Sequence, residues 1–243
     1  MSDFWKTRFT IDDGLGMGSY SIGHFAWLLL MFLLIFIVGR RYRSSDERGR
    51  NRIRWVVASL ILLDEIVKDI ITPLTGQWDW SFLPLHLCSI SVFVVLFHAI
   101  TKSKFLEEYL YALTLPTACM AMVFPDWTGK LPFFNLMCIH SFSIHLLLVL
   151  YPCLLLYGGF KPSWKRLRVI IPIVAVIAVI MHFVNNALST NFFFVNGGGD
   201  GANPLSLLEN YVGWWYLLAM PVIGAICWIP MYLIPNRHKS KKK

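Results

Sequence analysis

Seven runs of about 20 mostly apolar residues, joined by short charged loops, constrain this chain more than any other feature of its sequence. A helix rising 1.5 Å per residue needs about that many apolar residues to cross the ~30 Å hydrocarbon core of a bilayer. The runs fall at approximately 21–39, 53–71, 82–101, 105–124, 133–157, 166–186 and 211–234. Each is continuous and lacks the alternation of an outer-membrane strand, so helices are expected rather than a barrel. Composition agrees: charged residues make up 15% and hydrophobic residues 56%, where a soluble domain carries about 25% charged. The chain reads as an all-α, polytopic membrane protein, one seven-helix domain over residues 1–243 that ends in a basic tail, 235–243. A soluble enzyme, a disordered chain and a disulfide scaffold are excluded.

The net charge of +8 suggests nucleic acid until its distribution is read. One alternate set of loops holds Arg40, Arg41, Arg43, Arg48, Arg50, Arg52 and Arg54, then Lys102 and Lys104, then Lys161, Lys165, Arg166 and Arg168. The tail adds Arg237, Lys239, Lys241, Lys242 and Lys243. The other side has Lys6, Arg8 and Lys130, and Lys68 lies inside a run. Positive loops stay cytoplasmic, which puts the N-terminus outside and the C-terminus inside, as an odd span count requires. No nucleic-acid partner is expected. No cleavable signal is apparent before or after the first run. All five cysteines lie in apolar runs and no CxxC occurs, so neither a metal knuckle nor a disulfide framework is expected. No cofactor is implied. The Gly197–Gly199, Asp200, Gly201 stretch lacks the GxxxxGK[ST] pattern of a phosphate loop.

Ionisable groups inside a span are costly, so each asks for a reason. The second run contains Asp64, Glu65, Lys68 and Asp69. Lys68 lies four residues from Asp64 and three from Glu65, so each pair shares a helix face. This is either a self-neutralised packing cluster or a source of carboxylates that orient a histidine or hold a head group. The third run opens Leu83-Pro84-Leu85-His86-Leu87-Cys88, with proline expected at the helix start. The fifth carries His140 and His145; the sixth ends in His182, Asn185 and Asn186, with Thr190 and Asn191 beyond. With alternating chain direction, His24, Asp64, Glu65, His86, Cys88, His140, His182 and Asn185 all fall in the outer half. A pocket open to the outer leaflet is expected, because a through-going path needs polar groups at both depths.

Several of these residues carry a resemblance in their order and spacing. They are His24, Leu83-Pro84-Leu85-His86-Leu87-Cys88, Pro125-Asp126, His145 seven residues before Pro152, Asn185, Thr190-Asn191-Phe192, Pro204 and Trp215-Tyr216. Over roughly residues 20–230 the chain resembles the YwaF-like integral membrane family of bacteria. The eukaryotic relatives of that family include a membrane phospholipid acyltransferase, and more distant relatives include intramembrane hydrolases of fatty-acid esters. The resemblance implies a cysteine–histidine acyl-transfer pair at the positions of Cys88 and His145. Relatives often have Asn-Tyr where this chain has Asn191-Phe192.

The expected function is therefore an intramembrane acyltransferase or lipid hydrolase acting on outer-leaflet lipid, in a bacterial plasma membrane. Cys88 would be the nucleophile and His145 the base. Asp64 or Glu65 would orient the base, and the asparagines ending the sixth run would bind the oxyanion. His24, His86, His182 and Asn191 complete the supporting set. His140 stays open as an alternative base. Counted along its helix it lies about 10 Å in, close to Cys88 at about 9 Å, whereas His145 lies about 18 Å in. Rival functions are a transporter or flippase for a lipid or amphipathic solute, and a non-enzymatic receptor or assembly partner. The topology has a direct check. A reporter fused after Lys243 is expected to read as cytoplasmic and one inserted near Gly198 as external; the same side for both would refute seven spans.

Overall fold

The computed structural model describes residues 3–125, 127–199 and 203–240. Asp126, Asp200, Gly201, Lys241, Lys242 and Lys243, all used above, lie outside the described residues. Among the described residues the chain is all-α, without a strand. The helices are α1 Ile22–Ser44, α2 Glu47–Leu74, α3 Leu87–Thr101, α4 Lys104–Tyr109, α5 Leu115–Val123, α6 Leu136–Tyr157, α7 Trp164–Leu188, α8 Pro204–Val212 and α9 Tyr216–Ser240. Five segments are long and apolar enough to cross a membrane: Ile22–Ser44, Trp80–Thr101, Leu136–Tyr157, Trp164–Leu188 and Pro204–Leu233. Helix α2 runs for 28 residues but carries the charged stretch Asp64–Asp69 in its middle. Residues 104–123 form one helical path broken by a π-turn at Leu110–Thr114.

Helix α6 is the axis of the bundle. Most of its length is buried, and α1, α2, α3 and α5 all pack on it. Its side chains Leu148, Tyr151 and Leu154 meet Ile61 of α2 and Val95 of α3 in a core closed to the surroundings. Asn135 sets where α6 starts. Its side-chain oxygen accepts from Met137 N and Cys138 N, at 2.9 and 3.1 Å, so two otherwise unpaired first-turn donors are capped. Its amide donates to the carbonyls of Asp3 and Lys6, at 2.7 and 2.8 Å, which docks the N-terminal segment on this end of the bundle. A smaller core of Tyr111, Ala112, Leu113, Leu167, Ile170 and Tyr232 joins the π-turn to α7 and α9.

Helix α3 starts five residues later than the apolar run suggests. Trp80–Phe82 forms a short 3-10 turn capped by Asp79, whose carboxylate accepts from Ser81 N at 2.8 Å. Leu83, which precedes proline, is pushed to ψ 142°, away from the helical region. Pro84 therefore stands before the helix rather than in its first turn, and His86 becomes the N-cap. The π-turn also has a local cause. Proline at 116 has no N–H to offer the carbonyl of Ala112, and its ring crowds that carbonyl. The helix widens, and Leu115 N–H reaches back five residues to Leu110.

Candidate functional site

The charged stretch of α2 resolves into two arms. Lys68, 5% exposed, holds its ammonium among three oxygens. It donates to Glu65 at 2.7 Å, forms an ion pair with Asp69 at 3.0 Å and donates to the Phe82 carbonyl at 2.9 Å. The last bond ties α2 to the turn that leads into α3. Asp64 does not pair with Lys68, as the four-residue spacing suggested. It turns to α6, where it accepts from Ser143 Oγ at 2.7 Å and meets His140 Nδ1 at 3.2 Å. His140 Nε2 lies 3.9 Å from Glu65. Both nitrogens of His140 thus face carboxylates.

His145 sits differently on the same helix. Its Nδ1 donates to the Ser141 carbonyl at 2.6 Å. That bond fixes the tautomer, so Nε2 carries the lone pair, and Nε2 makes no hydrogen bond among the described residues. His145 lies within electrostatic reach of His140 and Asp64, and His86 lies within reach of both His145 and Lys68. The depth counted on the sequence assumed a helix beginning at residue 82; α3 begins at Leu87, after four non-helical residues, Leu83–His86.

Cys88 is the second residue of α3. His86 gives the helix no side-chain cap, so the N–H groups of Leu87, Cys88 and Ser89 keep no backbone partner among the described residues. A helix N-terminus favours an anion there. The Cys88 thiol lies 3.9 Å from Thr117 Oγ1; it does not hydrogen-bond to His145. Around it stand hydroxyls that the sequence reading missed. Thr114 donates to Ser91 at 2.8 Å, Ser91 donates to the Leu87 carbonyl at 2.8 Å, and the Tyr109 phenol lies against Ser91.

The other expected site residues lie apart. Asn185 spends its whole amide on one loop. It accepts from Phe192 N and Thr190 Oγ1, at 2.7 and 3.0 Å, and donates to the Phe192 carbonyl and Asn196, at 2.9 and 3.2 Å. An oxyanion role for it would require breaking that loop. The loop instead places Phe192 edge-on against His86, ring centroids 5.0 Å apart. Asn191 closes the same loop through Gly197 and Asn196. His182 is exposed and pairs with Asn196 and Asn186. His24 is buried on α1, bonded through Nε2 to the Met122 carbonyl at 2.7 Å.

Buried polar groups also occupy the end with the basic loops, against the one-sided distribution expected. His98, 1% exposed, bonds Tyr151 at 2.9 Å and lies 3.5 Å from Glu107. Arg54 joins Tyr42 and Glu47. Glu108, 0% exposed, accepts from Arg166, Ser163 N and Tyr232. The adjacent Glu107-Glu108 and the histidine in the third run were the available signals. Losing the ammonium at Lys68 would strand Glu65 in a low-dielectric setting. Lys68→Met is expected to destabilise the fold by about 3–5 kcal/mol, read as a lower melting temperature in detergent; an unchanged melt would mean that Glu65 reaches water.

The sequence profile of the TMEM164 family matches residues 19–232. No curated protein and no solved structure matches the chain. The match spans most of the sequence, so the chain belongs to the TMEM164 family, a family of membrane proteins.

Proposed function

We propose that this TMEM164-family chain is an intramembrane acyltransferase or lipid hydrolase working on outer-leaflet lipid, with Cys88 as nucleophile and His145 as base. The proposal includes seven spans, α2 and residues 104–123 crossing alongside the five apolar segments. It also includes an external N-terminus, a cytoplasmic tail, kinship with the YwaF-like family and a bacterial plasma membrane. What supports it is a helix start at Cys88 without a side-chain cap, together with a histidine, His145, whose Nδ1 is bound to the Ser141 carbonyl and leaves Nε2 open. His140, whose Nδ1 donates to Asp64 and whose Nε2 lies 3.9 Å from Glu65, is the alternative base; His145 is preferred because the family resemblance places the histidine of the pair there.

The chemistry runs in two halves. His145 Nε2 takes the thiol proton as Cys88 Sγ attacks the carbonyl carbon of a lipid ester. The tetrahedral oxyanion draws on the free N–H groups at the start of α3. Collapse breaks the carbon–oxygen bond; the lipid alcohol leaves with the proton from His145, and the acyl group stays on sulfur as a thioester. A second lipid hydroxyl, or water, then gives its proton to His145 and attacks the thioester. The thiolate departs and is reprotonated. Asp64 and Ser143 fix His140 beside this path, and the Asn185 loop walls it with Phe192.

A lipid or solute transporter is favoured by one observation, the buried polar groups at both ends of the bundle. Flux into sealed vesicles separates the two readings. In reconstituted vesicles, mass spectrometry of the lipids is expected to show acyl transfer abolished by His145→Ala and only weakened by His140→Ala. Full activity in His145→Ala with loss in His140→Ala would reverse the assignment.

A further inference from the structure

Helix α9 is sparsely buried, yet its second half meets the fourth apolar run through three polar contacts. Tyr232 hydroxyl donates to the Glu108 carboxylate. Tyr111 hydroxyl donates to the Met231 carbonyl at 2.5 Å. Trp228 Nε1 donates to the Ala112 carbonyl at 2.7 Å. The third contact answers a specific deficit. In an α-helix the Ala112 carbonyl would accept from residue 116, which is proline and has no N–H. Ala112 is fully buried, and in a bilayer no water can replace the missing donor. The indole N–H fills that place from another helix.

The same turn carries the hydroxyls that surround Cys88. Thr117 donates to the Leu113 carbonyl at 2.7 Å, so its free lone pairs face the Cys88 thiol at 3.9 Å. Thr114 bonds Ser91, one helical turn beyond Cys88 on α3. The shape of the π-turn is thereby passed to the first turn of α3. We propose that Trp228 is a positioning residue for Cys88: by holding the Ala112 carbonyl it fixes the π-turn, and through it the Thr117 hydroxyl that receives the Cys88 thiol. The positioning stands on this geometry; its consequence for catalysis rests on the acyl-transfer reading above.

The test follows alkylation of Cys88 by N-ethylmaleimide in the full-length protein in detergent, resolved by peptide mass spectrometry across a pH series. Cys138, which is fully buried, stays unlabelled while the fold is intact. Trp228→Phe keeps a large ring and removes the N–H. It is expected to accelerate Cys88 alkylation by about threefold to tenfold, the worth of one hydrogen bond, with Cys138 still protected. Pro116→Ala returns an N–H to Ala112, so in that background Trp228→Phe is expected to change nothing. A wild-type alkylation rate in folded Trp228→Phe, or the same acceleration in the Pro116→Ala background, overturns the proposal. Should Trp228→Phe unfold, Trp228→His keeps a ring donor and is expected to fold with the wild-type rate; its unfolding would mean that ring volume matters rather than the bond, which also overturns it. Cys88→Ala tests catalysis separately. If it retains full acyl transfer while Trp228→Phe still accelerates alkylation, the catalytic reading fails and the positioning stands.

Discussion

Inside a bilayer no water completes a hydrogen bond, so a polar group on one helix must find its partner elsewhere in the chain. Apolar burial gives helices little reason to prefer each other over lipid tails, and close packing with interhelical hydrogen bonds decides the arrangement. This bundle follows that constraint. Asp64 reaches from α2 to Ser143 and His140 on α6. His24 joins α1 to the end of α5 through Met122, and His98 joins α3 to α6 through Tyr151. Glu108, near the end of α4, gathers the start of α7 and the far half of α9. Removing either partner of such a bond leaves the other unsatisfied, so these residues bear on stability well beyond their number.

The candidate site arises where two backbones depart from regular helix. The Leu83–His86 segment delays α3, and the delay delivers Cys88 to the helix start rather than to its second or third turn. Pro116 widens the fourth run, and the widened turn presents Thr114 and Thr117 toward α3. A regular helix at either place would satisfy its own N–H and carbonyl groups and leave nothing for a substrate or a distant indole. The departures are held from outside, by Lys68 on the Phe82 carbonyl and by Trp228 on the Ala112 carbonyl.

Helical structure was legible in the sequence because length and apolarity are local properties. The membrane-length segments around α1, α6 and α7 lie where their runs do. The start of α3 was misplaced because Pro84 was read as a first-turn residue, when its effect on Leu83 fell before the helix. The partner of Asp64 was misread because helical spacing points to Lys68, whereas the structure gives Lys68 to Glu65 and Asp69 and sends Asp64 to another helix. Pro116 marked a carbonyl, that of Ala112, without a donor; the donor lies 116 residues further along the chain, where no spacing rule reaches. The asparagines at the end of α7, Asn185 and Asn186, were read as oxyanion donors by residue type, and only the fold reveals that they are bound to the loop that follows.

The account turns on whether sulfur carries the acyl group. The most direct measurement is intact-protein mass spectrometry of the purified chain after incubation with a phospholipid of defined acyl composition and no acceptor. The account predicts a mass increase of one acyl group, mapped to Cys88, removed by neutral hydroxylamine as a thioester should be, and absent in His145→Ala. Lipid turnover without any adduct on Cys88, or an adduct that persists unchanged when His145 is replaced, would contradict it.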